Sequence, residues 1–408
     1  MVHVKPFVLD NWVRQFKHPY MVNYPSNAPW VHLTLDVDTC VDPLSLQALS
    51  QLTTSVSVAG PVNASNALVY GSVLGSSDLR TKILSLYDEV PDTTRLSLTV
   101  TQGAISANFL VLDTILGFGD HVICQYPTYQ QLYDVPRRAG AEVSLWRTQP
   151  ENGWIPDMLD LVPLVKDNTK MIIINNPNNP TGASIPGSVL KDLVSFAAKH
   201  NIIVFSDEVF RPLFHGSSIK QFPSIISFAQ RYKNVIVVSS LSKAFSLPGI
   251  RVGWAISPDP ELIRQVIMAR DYTTISVSQV DQDIAAYALD PPVREMILRR
   301  SLTICGQNLT ALDEFIKKHA NRLRWVKPTG ASAAFVCVVD PATDTPVDDP
   351  VFCENLISET GLLIVPGGKT FGTEIDEDFK GYLRVGFVCS ADKFKEALAI
   401  WGKYLDQI

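Results

Sequence analysis

The sequence predicts an α/β protein with a large domain, built on a mostly parallel sheet between helices, and a smaller α+β domain. Through the middle of the chain, apolar runs of strand length alternate with amphipathic segments of helix length. These runs lie at residues 96–100, 121–124, 171–174, 202–205, 235–238 and 252–255. Because they are almost continuously apolar, we expect strands that are buried on both faces, as in parallel sheets.

The pattern changes after about residue 290, where a long helix-like segment precedes short apolar runs at 334–339 and 382–387. A chain of 408 residues is also longer than one ordinary core accommodates. We therefore predict an N-terminal arm at 1–45 that contributes to the small domain, a large domain at 46–288, and a small domain at 289–408.

Composition and charge exclude several classes of protein. With 46% apolar residues and a net charge of −6, the chain is expected to be globular and not to bind nucleic acid. No apolar stretch approaches the roughly 20 residues that span a bilayer. The six cysteines and seven histidines are scattered without metal-ligand spacing. Since the N-terminus also lacks a secretion-signal pattern, we predict a cytoplasmic protein with reduced thiols and no metal site.

Lys243 is the most informative residue, because it directly follows an apolar strand. It ends the segment Ser240-Leu-Ser-Lys243, and Arg251 follows eight residues later. A lysine amine can form a Schiff base with the aldehyde of pyridoxal phosphate (PLP). Ser240, Ser242 and Arg251 are residue types that bind a phosphate. Since parallel sheets bind ligands at the carboxyl ends of their strands, a PLP site is expected there.

Other predicted strands also end in groups that suit this cofactor. Gly103-Ala104-Ile105 follows the first strand and opens a helix, whose free N–H groups favour a phosphate. Asp207 ends a buried strand, where a carboxylate needs a cation such as a protonated pyridine nitrogen, although a turn cap also fits. Arg384 lies within an apolar strand, and buried arginines usually bind anions such as a substrate carboxylate.

Two further segments each allow two interpretations, one as part of a cofactor site and one as ordinary structure. Tyr129, in Gln125-Tyr-Pro-Thr-Tyr, offers a ring that stacks on a flat cofactor or simply packs in the core. Asn179 belongs to a dense run of turn residues at 175–182. Its amide suits a cofactor oxygen or a substrate carboxylate, and a plain loop is the alternative.

In their order and approximate spacing, these motifs resemble class I/II aminotransferases of PLP-dependent transferase fold type I. The resemblance extends from about residue 30 to residue 390. It implies a seven-stranded sheet, PLP as the cofactor, an L-amino acid as the substrate, and a homodimer.

The resemblance also assigns roles to single residues. Lys243 carries the Schiff base, Asp207 pairs with the pyridine nitrogen, and Asn179 binds the phenolic oxygen. Tyr129 lies against the ring, and Arg384 clamps the α-carboxylate, with Asn179 beside it. Residues that it assigns to the phosphate end are Gly103, Ala104, Ile105, Ser240, Ser242, Arg251 and, from the neighbouring subunit, Tyr70.

Phe210 departs from this pattern. Many family members have a tyrosine three residues after the aspartate, which donates a hydrogen bond to the phenolic oxygen. Without that donor the oxygen keeps more negative charge, which favours the protonated Schiff base. Residues 207–211 and the Leu9-Asp-Asn-Trp opening also resemble PLP enzymes that cyclise or oxidise arginine-type amino acids. We therefore predict an aminotransferase, with a lyase, oxidase or capreomycidine-synthase-like cyclase as the alternative.

The sequence leaves the substrate side chain open. Arg211 and Arg270 are candidates for binding a dicarboxylate substrate. Asp36, Asp38 and Glu208 are candidates for a basic one, and a solvated or turn position is the alternative for each. A ligand-sensing domain of a transcription regulator is a further alternative. Because such proteins carry a DNA-binding domain ahead of the fold, and the resemblance begins near residue 30, we expect an enzyme.

Overall fold

The computed structural model describes residues 7–17, 33–35, 41–51, 61–62, 69–90, 92–216, 222–372 and 378–408. The helices are α1 Val8–Lys17, α2 Leu46–Gln51, α3 Ser77–Leu84, α4 Gly103–Ile115, α5 Gln131–Arg138, α6 Met158–Leu161, α7 Gly187–His200, α8 Pro260–Arg270, α9 Gln279–Ala288, α10 Pro291–Lys318, α11 Asp349–Thr360, α12 Gly367–Phe371 and α13 Ala391–Gln407. The strands are β1 Leu33–Thr34, β2 Ser97–Gln102, β3 His121–Tyr126, β4 Glu142–Arg147, β5 Thr169–Asn175, β6 Ile203–Asp207, β7 Val235–Ser240, β8 Val252–Ser257, β9 Leu323–Trp325, β10 Ala333–Val338, β11 Leu362–Leu363, β12 Val365–Pro366 and β13 Tyr382–Gly386.

The large sheet has seven strands in the order β2-β8-β7-β6-β5-β3-β4. The strands from β7 to β4 in this order pair in parallel, and only β8 runs antiparallel to its neighbours β2 and β7. The predicted mostly parallel, seven-stranded sheet is therefore confirmed. All six apolar runs in the sequence became strands of it, namely β2, β3, β5, β6, β7 and β8.

Burial on both faces explains why these strands are continuously apolar. In β5, Ile172 and Ile174 belong to one hydrophobic core, whereas Met171 and Ile173 belong to a second core on the other face. Helix α7 packs into the first core, and helices α4 and α8 pack into the second. Because alternate side chains face opposite sides of a strand, every position here needs an apolar residue.

The sequence pattern did not reveal strand β4. This strand lies at the edge of the sheet and pairs only with β3. Its sequence, Glu-Val-Ser-Leu-Trp-Arg, is mixed, and most of its residues are only partly buried. An edge strand with solvent beside it does not require the continuous apolar run that the inner strands show.

A second, four-stranded antiparallel sheet has the order β12-β13-β10-β9. Strand β1, near the N-terminus, pairs in parallel with β11 from the C-terminal part. These pairings support an N-terminal arm that joins a smaller α+β unit. The domain limits at residues 45 and 288 remain a prediction.

The carboxyl ends of β3, β5, β6 and β7 meet at one edge of the large sheet, because these strands are parallel. Helix α4 begins at the same edge, directly after β2. This edge therefore gathers the segments that sequence reasoning singled out. Among the described residues, no helix is both long and apolar enough to cross a membrane.

Candidate active site

A cavity of about 280 Å³ opens at this edge of the sheet. Of the thirteen residues predicted for the site, the cavity wall contains Ala104, Ile105, Tyr129, Asn179, Asp207, Phe210, Ser240, Ser242, Lys243, Arg251 and Arg384. The wall also contains five residues that were not predicted, namely Leu9, Asn108, Asn175, Val209 and Pro248. Residues that are far apart in the chain thus meet around one space.

One end of the cavity gathers groups of the types that commonly bind anions. Helix α4 begins at Gly103, and Gln102 before it makes no side-chain cap, so the first N–H groups of the helix are available. Arg251 and Ser242 stand in the same wall, together with Ser240 at the end of β7. A phosphate group fits this combination of helix terminus, hydroxyls and guanidinium.

Close packing at this end requires two glycines. Gly103 has a φ of +75°, and a Cβ added to it would lie 2.6 Å from Nη2 of Arg251. Gly253 in β8 lies beneath the helix start, where an added Cβ would lie 2.6 Å from the nitrogen of Ala104. Sequence reasoning missed Gly253, although a glycine inside an apolar strand is a signal for such close backbone approach.

Asp207 is a buried carboxylate with neutral hydrogen-bond donors. Its Oδ2 accepts from Nδ2 of Asn108 at 2.8 Å, and its Oδ1 accepts from the backbone N–H of Val209 at 3.0 Å. Burial raises the pKa of Asp207 above its ordinary value, while these two hydrogen bonds and the charge of Lys243 act in the opposite direction. A cation bound beside this carboxylate would therefore be strongly favoured.

Arg384 and Asn179 are joined on the cavity wall. Arg384, only 2% exposed, donates from Nη1 to Oδ1 of Asn179 at 3.2 Å. The ring of Phe371 lies 5.5 Å from the guanidinium carbon of Arg384 and supports it. The backbone N–H of Asn179 donates to Oδ1 of Asn175 at 2.7 Å. These contacts hold the buried guanidinium of Arg384 in the cavity wall, beside Asn179.

The other asparagines of the 175–182 run shape the loop. Asn175 donates from Nδ2 to the carbonyl of Asp207, and Asn178 donates from Nδ2 to the carbonyl of Pro127. Oδ1 of Asn176 accepts from the N–H of Ile185. The structure thus separates Asn179, whose side chain contacts Arg384, from neighbours that look identical in the sequence.

The start of α1 lies against the Tyr129 side of the cavity. The ring of Phe7 meets the ring of Tyr129 edge-on, with 5.0 Å between centroids. The N–H of Val8 donates to Oε1 of Gln130 at 2.9 Å, and Leu9 is part of the cavity wall. Tyr129 is therefore packed by an aromatic neighbour and also lines the cavity, and its stacking on a cofactor remains a prediction.

Comparison with known proteins identifies the family. A sequence model of aminotransferase class I and II matches residues 48–400. The chain belongs to this family. It is 29% identical to capreomycidine synthase of Streptomyces vinaceus, over 73% of this chain and 72% of that enzyme. It is 28% identical to aspartate aminotransferase of Thermotoga maritima, over 74% of this chain and 73% of that enzyme.

A solved structure of a PLP-dependent aminotransferase from Streptococcus suis superposes with a TM-score of 0.83. The two chains are 33% identical, and the match covers 99% of this chain and 98% of the other. The predicted family and fold type I are confirmed, and the cofactor of this family is PLP.

The cavity offers suitable partners for three functional groups of PLP. The helix terminus and Arg251 suit the phosphate, and the amine of Lys243 suits the aldehyde. The buried carboxylate of Asp207, whose hydrogen-bond donors Asn108 and Val209 are neutral, suits a protonated pyridine nitrogen. The individual assignments remain predictions, and this complementarity supports them.

Tyr70 lies outside the cavity of its own chain. Its side chain is 83% exposed, and it borders a separate surface pocket with Val277 and Gln279. Gly103, the first residue of α4, is also absent from the cavity wall.

Arg270 is excluded as a clamp for a substrate carboxylate. Its side chain is fully buried and donates to Oγ1 of Thr99 and to the carbonyls of Val73, Val100 and Ile275. Its role is structural, since it ties the turn after α8 to strand β2.

Arg211 and Glu208 are likewise engaged with each other and not with the cavity. Arg211 lies 3.3 Å from Oε2 of Glu208 and 3.0 Å from Oε1 of Glu89. Glu208 is fully buried, and burial raises its pKa above the ordinary value. Neither residue is part of the cavity wall. Asp36 and Asp38, the other candidates for a basic substrate, lie outside the described residues.

Replacing Phe210 with tyrosine is expected to lower the pKa of the Lys243–PLP Schiff base by about one pH unit. Phe210 is buried in the cavity wall, three residues after Asp207. A hydroxyl donor there would stabilise negative charge on the phenolic oxygen, which then holds the Schiff-base proton less strongly. The Schiff base of the wild-type protein should therefore stay protonated to higher pH than that of Phe210→Tyr. Visible absorbance measured against pH gives both midpoints.

Phe214 offers a matched control for this titration. It is also buried but stacks on Phe222 outside the cavity wall, so Phe214→Tyr should leave the midpoint unchanged. An identical midpoint for wild type and Phe210→Tyr would contradict the proposed placement of residue 210.

Proposed function

We propose that this protein is a PLP-dependent aminotransferase that acts on an L-amino acid. The observation that carries the proposal is one cavity wall that contains Lys243, Asp207 and the Arg384–Asn179 pair. Bound PLP supplies an electron sink for the pair that is left when the Cα–H bond breaks. The side chains of this cavity supply binding, orientation and proton transfer.

Arg384 is proposed to bind the substrate α-carboxylate. A guanidinium presents two parallel N–H donors to a carboxylate, and its hydrogen bond to Asn179 fixes its plane. Because the arginine is buried, the ion pair forms away from water and is correspondingly strong. Substrate orientation follows from this single anchored group.

Lys243 is proposed as the general base that takes the Cα proton. Its amine stands in the same wall as the carboxylate clamp, so a substrate held by Arg384 presents Cα within the cavity. In transamination the same amine delivers the proton to a different carbon. In elimination or ring closure a group on the β or γ carbon departs instead.

An amino-acid cyclase is the second candidate. Two observations favour it, namely the similarity to capreomycidine synthase and the presence of Phe210 in the cavity wall. Both candidates use the proposed roles of Lys243 and Arg384, so the distinction rests on products.

Product analysis tests the two candidates. The holoenzyme is mixed with single amino acids without a keto-acid acceptor, and keto acids, ammonia, ring products and pyridoxamine phosphate are followed by mass spectrometry. Transamination predicts pyridoxamine phosphate and keto acid in equal amounts. Ring products or free ammonia, with the cofactor remaining as PLP, would overturn the aminotransferase proposal and support the cyclase or lyase. The Lys243→Ala protein supplies the background.

We also propose that the active form is a homodimer in which Tyr70 reaches the phosphate end of the neighbouring site. Tyr70, Tyr272 and Ile275 expose large side chains on the described surface. Tyr70 and residues 276–279 border one surface pocket, and a second pocket joins Val277 and Ser278 to Ile105 and Arg251. These exposed side chains and adjoining pockets support the proposed subunit contact on this face.

A further inference from the structure

Asn108 is a buried polar residue in an otherwise apolar stretch of α4. It is 1% exposed, and its neighbours Ala107, Leu110 and Val111 belong to the hydrophobic core. The residue stands in the cavity wall, one and a half turns after the start of the helix. A polar side chain in such a place is costly unless its hydrogen bonds repay the loss of water.

The hydrogen bonds of Asn108 determine the orientation of its amide. Nδ2 donates to Oδ2 of Asp207 at 2.8 Å and to Oε1 of Gln131 at 3.2 Å. Gln131 in turn donates from Nε2 to the carbonyl of Ile105 at 2.8 Å. The carboxylate and the carbonyl at the two ends only accept hydrogen bonds, so both amides have one possible orientation.

We propose that Asn108, braced by Gln131, is the positioning residue that fixes the Asp207 carboxylate against the pyridine nitrogen of PLP. The inference rests on the proposed placement of Asp207 at that nitrogen. Asn108 does not itself contact the reacting carbon in this arrangement, and it acts through Asp207. The hydrogen bonds from Asp207 through Asn108 and Gln131 reach the carbonyl of Ile105. Because Ile105 lies in the first turn of α4, they link the proposed pyridine-nitrogen end of the site to its proposed phosphate end.

A neutral partner suits this task better than a charged one. The Asn108 amide stabilises the ionised form of Asp207 without cancelling its charge, so the whole charge remains for the pyridinium. A cationic side chain in the same place would compete with the cofactor for that charge. Among the described residues, Lys243 is the cation whose charge lowers the pKa of Asp207, and its amine is the group that PLP would bind.

The test uses holoenzyme loaded with ¹⁵N-labelled PLP, whose pyridine nitrogen shift reports its protonation directly. In Asn108→Leu the carboxylate loses a donor and takes up a proton more readily, so the pyridinium signal should disappear at lower pH than in wild type. The PLP dissociation constant should also rise about 10- to 100-fold, as expected for a lost hydrogen bond to a charged group.

Gln131→Met is expected to have a smaller effect, because it removes the hydrogen bond between Asn108 and Gln131 but keeps Asn108 itself. It should shift the pyridinium titration in the same direction by a smaller amount. A titration and a PLP affinity equal to wild type in either variant would overturn the proposed role of that residue.

Asn308 is the matched control. It is also 1% exposed and donates from Nδ2 to two acceptors, the carbonyls of Phe387 and Cys389, away from the cavity. Asn308→Leu should lower thermal stability and leave the ¹⁵N titration unchanged. If it shifts the titration as Asn108→Leu does, the effect is general destabilisation and the inference fails.

The variant Asp207→Asn tests separately whether Asp207 faces the pyridine nitrogen, on which the proposed role of Asn108 depends. If its ¹⁵N shift matches that of wild type, Asp207 does not face the pyridine nitrogen and the placement itself is wrong. If Asp207→Asn loses the pyridinium signal while Asn108→Leu keeps it, the placement stands and only the role of Asn108 is rejected.

Discussion

Replacing Lys243 with alanine is expected to abolish the visible absorption of the protein–PLP Schiff base and nearly all turnover. The variant lacks the amine that can form that bond, since Lys243 is the only lysine among the described residues of the cavity wall. It also lacks the proposed general base, a loss that alone reduces turnover about 10²- to 10⁴-fold. Absorbance spectra after reconstitution with PLP, together with steady-state rates, measure both effects.

Lys233 provides the control, because it lies near the other end of the same strand, just before β7, whereas Lys243 lies just after it. Its side chain is exposed and pairs with Asp259 at 3.1 Å, at the opposite end of the strand. Lys233→Ala should keep the spectrum and the rate of wild type. A Lys243→Ala protein with an unchanged spectrum would refute the proposed covalent site.

Replacing Asp207 with asparagine is expected to lower kcat/KM about 10²- to 10⁴-fold, which corresponds to about 3–5 kcal/mol for removing one partner of a buried ion pair. The asparagine keeps the size of the side chain but carries no charge to hold a proton on the pyridine nitrogen. Steady-state kinetics with an excess of PLP separate this effect from weaker cofactor binding.

Asp349 is the matched control for this substitution. It is as buried as Asp207 and accepts from two backbone N–H groups, those of Lys369 and Gly381, outside the cavity wall. Asp349→Asn should reduce stability and leave the cofactor spectrum unchanged. A PLP analogue with a methylated, permanently charged ring nitrogen should restore part of the Asp207→Asn rate, and no restoration would argue against the charge mechanism.

Much of the site was predictable because its chemistry lies at strand ends. Asp207 and Ser240 each end a strand that the sequence shows as an apolar run. Lys243 comes shortly after the second of these strands. Parallel strands bring such ends together at one edge, whatever the order of the strands. The pattern of apolar runs was therefore sufficient to place these groups near each other.

The pattern of apolar runs did not distinguish the roles of two buried arginines. Arg384 and Arg270 both stand among apolar residues, and both are fully or almost fully buried. Arg270 is saturated by backbone carbonyls, whereas Arg384 makes its hydrogen bond to a side chain in the cavity wall. Hydrogen-bond partners that come from distant segments therefore distinguish Arg270, which stabilises the fold, from Arg384, which lines the cavity.

The local order of residues therefore determined the sheet, the family and the edge at which the cofactor is expected. Folding decided which polar groups at that edge face the cavity, because their partners come from other parts of the chain. Asn108 and Asp207 are 99 residues apart, and Asn179 and Arg384 are 205 apart. Hydrogen bonds depend on distance and direction in space, so only the packed chain shows that Asn179 is the asparagine that contacts Arg384. For the same reason, only the packed chain shows that Arg384 lines the cavity and that Arg270 does not.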